Sequence, residues 1–178
     1  MRRYQMDTFF EQIVPIRKTG GTLFAVMGLW FLSLFLCVFL FLFGGILGPL
    51  SALAPILIFG ILFGAWKLTG RFNIEYEYII TNGTMDIDKI INKSSRKRIT
   101  TFELSGVSRL EKFHPHLISN IDKKQLVVAC DLNDPDAYFM VCDREGKGAV
   151  NVVFAPEERL KGAIVKFIPK FIANSAFK

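Results

Sequence analysis

The densest chemistry in this chain is a run of six residues, Lys93-Ser94-Ser95-Arg96-Lys97-Arg98. Four cations so close together can hold phosphate oxygens, arginine through a planar fork and lysine as a point charge. Against a negatively charged bilayer each is worth about 1 kcal/mol, less in salt. The competing reading is a solvated, charged turn without a ligand. Other polar groups carry less. His114 and His116 flank Pro115, but no second ligand pair of zinc-site spacing accompanies them. Asp131, Asp134, Asp136, Asp143 and Glu145 cluster where the chain turns and lack the spacing and glycine of a calcium loop. Cys130 and Cys142 fall in apolar stretches and read as core thiols, and Cys37 as a small hydrophobe. A disulfide between Cys130 and Cys142 is disfavoured by the reducing compartment assigned below. There is no phosphate-binding glycine loop and no G-x-S-x-G elbow. The expectation is no catalytic centre, no metal and no cofactor.

The elements that would position these residues divide sharply. Between Lys18 and Lys67 lie 48 residues without one Asp, Glu, Lys, Arg or His. A helix crosses about 30 Å of hydrocarbon with about 20 apolar residues. This stretch holds two such spans, about 22–43 and 50–68, separated by Gly44, Gly45, Gly48 and Pro49. A connection that short makes them antiparallel neighbours. Gly60 and Gly64 would permit close helix approach, and Pro55 is read as a kink in the second span. The flanking bases Arg17, Lys18, Lys67 and Arg71 mark the cytoplasmic side, with Arg2 and Arg3 further out. Both termini are therefore expected in the cytoplasm of a multi-pass plasma-membrane protein. No ionisable group lies within the spans, which argues against an ion path. Residues 1–21 form a cytoplasmic juxtamembrane segment. Tyr4, Phe9, Phe10, Ile13 and Ile16 approximate helical spacing there, against the alternative of a frayed tail.

From Phe72 the period changes to two. Phe72, Ile74, Tyr76, Tyr78 and Ile80 make one face of a strand, and Asn82-Gly83 is a strong hairpin signal. Thr84–Ile91 returns, Asn92–Lys97 reads as a polar turn, and Arg98–Leu104 and Val107–Phe113 as further strands. Gln125–Asp131, Tyr138–Asp143 and Ala149–Phe154 complete seven, the last preceded by a turn at Gly146-Lys147-Gly148. A helix over 156–168 follows, with Pro156 at its start and Leu160, Ala163, Ile164, Phe167 and Ile168 on one face. Lys170–Lys178 is expected to be loosely held.

Two membrane spans, a strand of the type FNIEYEYIITNG, then MDIDKIINKSSRKR, seven strands and a closing helix resemble a bacterial family of membrane proteins with a pleckstrin-homology (PH)-like domain of unknown function. The block Tyr76–Arg98 carries most of that likeness. The resemblance implies an α+β membrane protein: an N-terminal transmembrane helical hairpin, then a PH-like antiparallel β-barrel or sandwich over 72–178. It implies no reaction and no phosphoinositide ligand.

A strand of about nine residues leaving Arg71 and returning from Asn82-Gly83 brings Lys93–Arg98 back toward the bilayer. Lys93, Arg96, Lys97 and Arg98 are thus candidate membrane-surface contacts. The net charge of +6 over 178 residues suits anionic lipid and is too mild for a nucleic-acid binder. The expected role is a non-enzymatic scaffold or regulatory module that contacts a protein partner, itself or the inner leaflet. The alternative is a small accessory subunit of a membrane transporter or secretion complex.

Overall fold

A computed structural model describes residues 9–144 and 148–177, leaving aside the side chains of Leu47 and Leu50. The chain divides into two compact units. One runs from Arg17 to Ile74; the other joins the segment ending at Ile16 to everything from Glu75 onward. Arg2, Arg3, Tyr4 and the turn expected around Gly146-Lys147 lie outside the described residues.

The first unit is a helical hairpin. Helix α1 spans Gly20–Phe43 and α2 spans Ala54–Gly70, joined by a 3₁₀ stretch, Gly44–Leu53. Both are long and apolar enough to cross a membrane, and only 6% of each apolar window is buried within the protein. A core helix of a soluble protein would hide most of that surface. Gly48 turns the chain with φ 58° and ψ −129°, a conformation open to glycine. Pro55 sits in the first turn of α2, where no intrahelical N–H is lost, so it starts the helix rather than kinking it. Trp30 Nε1 donates to Thr69 Oγ1 at 3.1 Å, and Thr69 donates back to the Ala65 carbonyl at 2.9 Å. That chain ties α1 to the last turn of α2 and satisfies both polar groups.

The second unit begins before the hairpin. Phe9–Pro15 is a strand, β1, and it pairs antiparallel with β2 (Ile74–Thr81) from Phe9↔Thr81 to Pro15↔Glu75. The juxtamembrane segment 1–21 is therefore not simply a helix or tail, and the sheet-bearing unit does not begin at residue 72. Phe10, Gln12 and Val14 turn inward while Phe9, Glu11 and Ile13 stay exposed, a period of two. The helical spacing in so short a window is ambiguous, and only the partner strand, about 60 positions away, resolves it. Gln12 is buried and fully used. Its Nε2 donates to the Ala155 carbonyl at 3.0 Å, and its Oε1 accepts the Glu157 N–H at 2.9 Å.

Strands β3 (Thr84–Ile91) and β4 (Ser95–Glu103) complete a sheet in the order β1-β2-β3-β4. A second sheet has the order β5-β7-β8-β6, from β5 (Val107–Lys112), β6 (Leu126–Val128), β7 (Tyr138–Arg144) and β8 (Gly148–Phe154). The seven strands read after residue 72 are all present. One departs from the antiparallel expectation: β6 runs parallel to β8. A long connection after β5 delivers β6 to the sheet edge, where no hairpin dictates direction.

The sheets share one core. Tyr78, Ile80, Met85, Ile87 and Phe102 from the first meet Leu110, Met140, Cys142, Val152 and Phe154 from the second. Helix α3 (Glu158–Phe167) closes it with Leu160, Ala163 and Ile164. The segment after it is packed, not loose: Ile172 of α4 (Lys170–Ala173) is buried, and the Phe177 ring meets Tyr138 edge-on at 4.9 Å. The other face of the second sheet is covered by its own connection, where Leu117, Ile118 and Ile121 pack over Phe113, Phe139 and Val153.

Tyr78 is fully buried. Its hydroxyl donates to the Ala129 carbonyl at 2.7 Å and accepts the Ala155 N–H at 3.3 Å, and burial holds its pKa far above the ordinary tyrosine value. Tyr78→Phe leaves two buried backbone groups unpaired and should cost about 1–3 kcal/mol, read from the unfolding of detergent-solubilised protein. At the β2–β3 turn, Asn82 and Gly83 have φ of 51° and 91°, and a Cβ on Gly83 would lie 3.0 Å from the Phe167 ring. Gly83→Ala combines a disfavoured φ with that contact and should cost about 1–3 kcal/mol in the same assay.

Candidate functional site

The site grows from the β3–β4 turn. Ser94 N–H donates to the Ile91 carbonyl at 3.2 Å, and Asn92 and Lys93 both take left-handed backbone, φ 53° and 55°. Two consecutive left-handed residues make the hairpin turn whose twist suits β-strands. Ten positions earlier the chain builds another hairpin turn with Asn82-Gly83. Here a lysine stands where glycine would be free of strain.

Strand β4 starts at Ser95, so Arg96 and Lys97 lie on the same strand as Arg98 rather than in the preceding turn. The register is Ile91↔Ser95, Ile90↔Arg96, Lys89↔Lys97 and Asp88↔Arg98, with an irregularity that sets Ile99 apart. Apolar alternation gives no hint of this early start. Cross-strand charge accounts for it instead. Arg96 Nη2 lies 2.9 Å from Glu77 Oε1 on β2. Arg98 Nη1 lies 2.7 Å from Asp86 Oδ2, and Arg98 Nε bonds Asp88 Oδ1. Asp86 also accepts from Thr101 Oγ1 at 2.7 Å. Asp88, as the strongest partner, holds the Arg98 pKa above its ordinary value.

Glu77 is wholly shielded from solvent although it points away from the main core. Burial raises its pKa above the ordinary carboxyl value, the neighbouring Glu11 adds to this, and Arg96 opposes it. Arg96 thus anchors one nitrogen on a buried carboxyl and keeps its remaining N–H donors for other partners.

Beside this pair is an open depression of about 610 Å³, lined by Ile13, Glu75, Ile90, Lys93, Ser94 and Arg96. It lies on the outer face of the first sheet, and every strand of that sheet or its turn contributes. The four cations singled out in the sequence are therefore sorted. Lys93 and Arg96 line the depression. Arg98 is committed to Asp86 and Asp88. Lys97 faces the opposite side, directly across from Lys89. Ile13, Glu75, Ile90 and the anchoring Glu77 escaped the sequence reading. The alternation of Glu75 and Glu77 with Tyr76 and Tyr78 was a usable signal for an acidic strand face. Ile13 had none, because it arrives from beyond the helices.

The remaining candidates stay apart. The His114 and His116 rings stack 5.7 Å apart, and no cluster of metal-ligating side chains occurs among the described residues. Asp131 and Asp134 accept the N–H groups of Asn133 and Asp136 at 2.9 and 2.8 Å, which is turn chemistry. Glu145 lies outside the described residues. The three cysteines are free. Burial, aided by Asp134 and Asp131, pushes the Cys130 thiol up to about 12; burial, then Asp143, pushes Cys142 up to about 11. Both are protonated at neutral pH and poor nucleophiles. Arg17, Lys18, Lys67 and Arg71 flank the two helices, Lys67 in the last turn of α2 and Arg71 at its C-cap.

Because the Glu77 pKa is raised on folding, its contribution is complete below the ordinary carboxyl pKa and is lost as pH rises through the folded value. The stability of the natural protein relative to Glu77→Gln should therefore fall as pH rises from about 4.5 toward 7. Paired unfolding curves across that range check it.

A family model described as a bacterial PH-like domain (DUF6106) matches residues 6–174, a stretch that takes in β1, both apolar helices and both sheets through α4. No curated protein and no solved structure matches the chain.

Proposed function

This chain belongs to the bacterial PH-like family DUF6106, and from that premise we propose a membrane-anchored, non-enzymatic scaffold or regulatory module that contacts the inner leaflet. The observation that carries the reading is the strand order. The apolar hairpin interrupts the chain between β1 and β2, so the chain leaves the sheet after Pro15 and rejoins it at Ile74. The Asn92–Ser94 turn belongs to that same sheet end, because β2 and β3 are joined at the other end by Asn82-Gly83. Only short links, 16–19 and 71–73, separate the strands from the helices. The shortness of these links supports the proposal that this sheet end, and Lys93 with it, faces the leaflet.

Electrostatics support the same placement. Arg17, Lys18, Lys67 and Arg71 bracket the helices as cytoplasmic-side cations do. Lys93 adds a further exposed charge at the turn, worth about 1 kcal/mol against anionic lipid. Its left-handed backbone costs roughly as much, which a ligand-facing role would explain. The non-enzymatic reading draws on the two protonated thiols and on acids already spent on turns and strand pairing.

The test uses full-length protein in liposomes containing anionic lipid, spin-labelled at Ser94→Cys or at Thr81→Cys. Thr81 is exposed at the opposite sheet end. Power saturation should place the label at 94 at headgroup depth and the label at 81 in water. Equal aqueous exposure at both positions would sink the proposed contact.

A further inference from the structure

The charges around the depression do not describe a simple anion site. Lys93 is exposed and without an ion pair among the described residues, and so is the partly exposed Glu75 carboxylate. Arg96 is balanced from beneath by buried Glu77. What remains is a dipole, one positive and one negative side chain facing the same open space. A purely anionic ligand would meet Lys93 but would also meet bare Glu75, at an unrecovered electrostatic cost. A ligand carrying both signs would satisfy both groups.

We infer that this depression binds a phospholipid headgroup with a primary ammonium beside its phosphodiester, as in phosphatidylethanolamine. The phosphodiester faces Lys93, the free N–H donors of Arg96 and the Ser94 hydroxyl, which among the described residues makes one hydrogen bond, a long 3.5 Å one to the Ile91 carbonyl. The ammonium faces Glu75. Ile13, 47% exposed, and Ile90 give the lipid an apolar wall. A volume of about 610 Å³ is ample for such a headgroup. Glu77 touches no ligand and acts as a positioning residue, fixing the guanidinium at the rim. Choline carries the same charges, but its methylated nitrogen cannot donate hydrogen bonds to Glu75, so the site distinguishes the two zwitterions. The lipid source rests on the proposed leaflet contact; the charge pairing does not.

The experiment is native mass spectrometry of the full chain, released from detergent micelles doped with equal phosphatidylethanolamine, phosphatidylglycerol and phosphatidylcholine. The natural protein should retain the ethanolamine lipid about tenfold over either competitor. Glu75→Gln, which breaks no ion pair among the described residues, should shift retention toward phosphatidylglycerol. Lys93→Gln should reduce retention of both. An unchanged lipid ratio in Glu75→Gln, or preference for phosphatidylglycerol in the natural protein, overturns the inference. Displacement of the bound lipid by equimolar glycerophosphoethanolamine overturns the lipid source in favour of a soluble headgroup. A water-exposed label at 94 with selective retention intact refutes only the leaflet contact. A headgroup-depth label with retention insensitive to Glu75 refutes only the headgroup assignment.

Discussion

The pairing of β1 with β2 is the constraint on which the rest of this architecture depends. Seven residues on one side of the apolar hairpin are held in register with residues on its other side. That ladder closes a long loop, whose entropy cost grows only slowly with length and is further limited because helices fill most of it. Gln12 then locks β1 to the start of α3 through two hydrogen bonds. A segment that would otherwise trail before the apolar helices becomes an edge strand of the sheet. The depression beside the β3–β4 turn exists partly because β1 delivers Ile13 to it.

The same sheet shows how charge can stand in for apolar pattern. Its inner face is an ordinary core of Tyr78, Ile80, Met85, Ile87 and Phe102. Its outer face sets Glu77, Asp86 and Asp88 against Arg96 and Arg98. Exposed pairs of this kind add little to stability one by one. Their consequence is specificity of register, because slipping β4 by one residue would turn both arginines away from their acids. Glu77 is the exception in cost: a shielded carboxyl beside Glu11 is tolerable because Arg96 partly compensates it. Lys89 and Lys97, directly opposite one another, have no such compensation among the described residues.

Much of the fold could be read along the chain. The apolar run, the Asn82-Gly83 turn, the seven later strands and the amphipathic face of α3 are all signalled by residues near one another in sequence. Local periodicity reports local structure, so these features recur in the fold. The misread features share a different property. Strand β1, the early start of β4, the parallel direction of β6 and the packed segment around Ile172 each depend on a partner far away in the chain. Of the site, Lys93 and Arg96 were visible as members of a basic run. Their separation from Lys97 and Arg98 was not, because it follows from strand alternation in a stretch that looked like a turn.

By itself, then, the sequence determined which segment is apolar enough to cross a membrane, where the Asn82-Gly83 turn falls, and that the remainder is strands closed by an amphipathic helix. Those are matters of solvation and backbone preference, which each residue carries wherever it is placed. The tertiary structure alone decided that the apolar hairpin is an insertion between two paired strands, and which cations are spent on acids and which remain free. Both depend on registry between distant segments, and registry is a property of the pairing rather than of either strand.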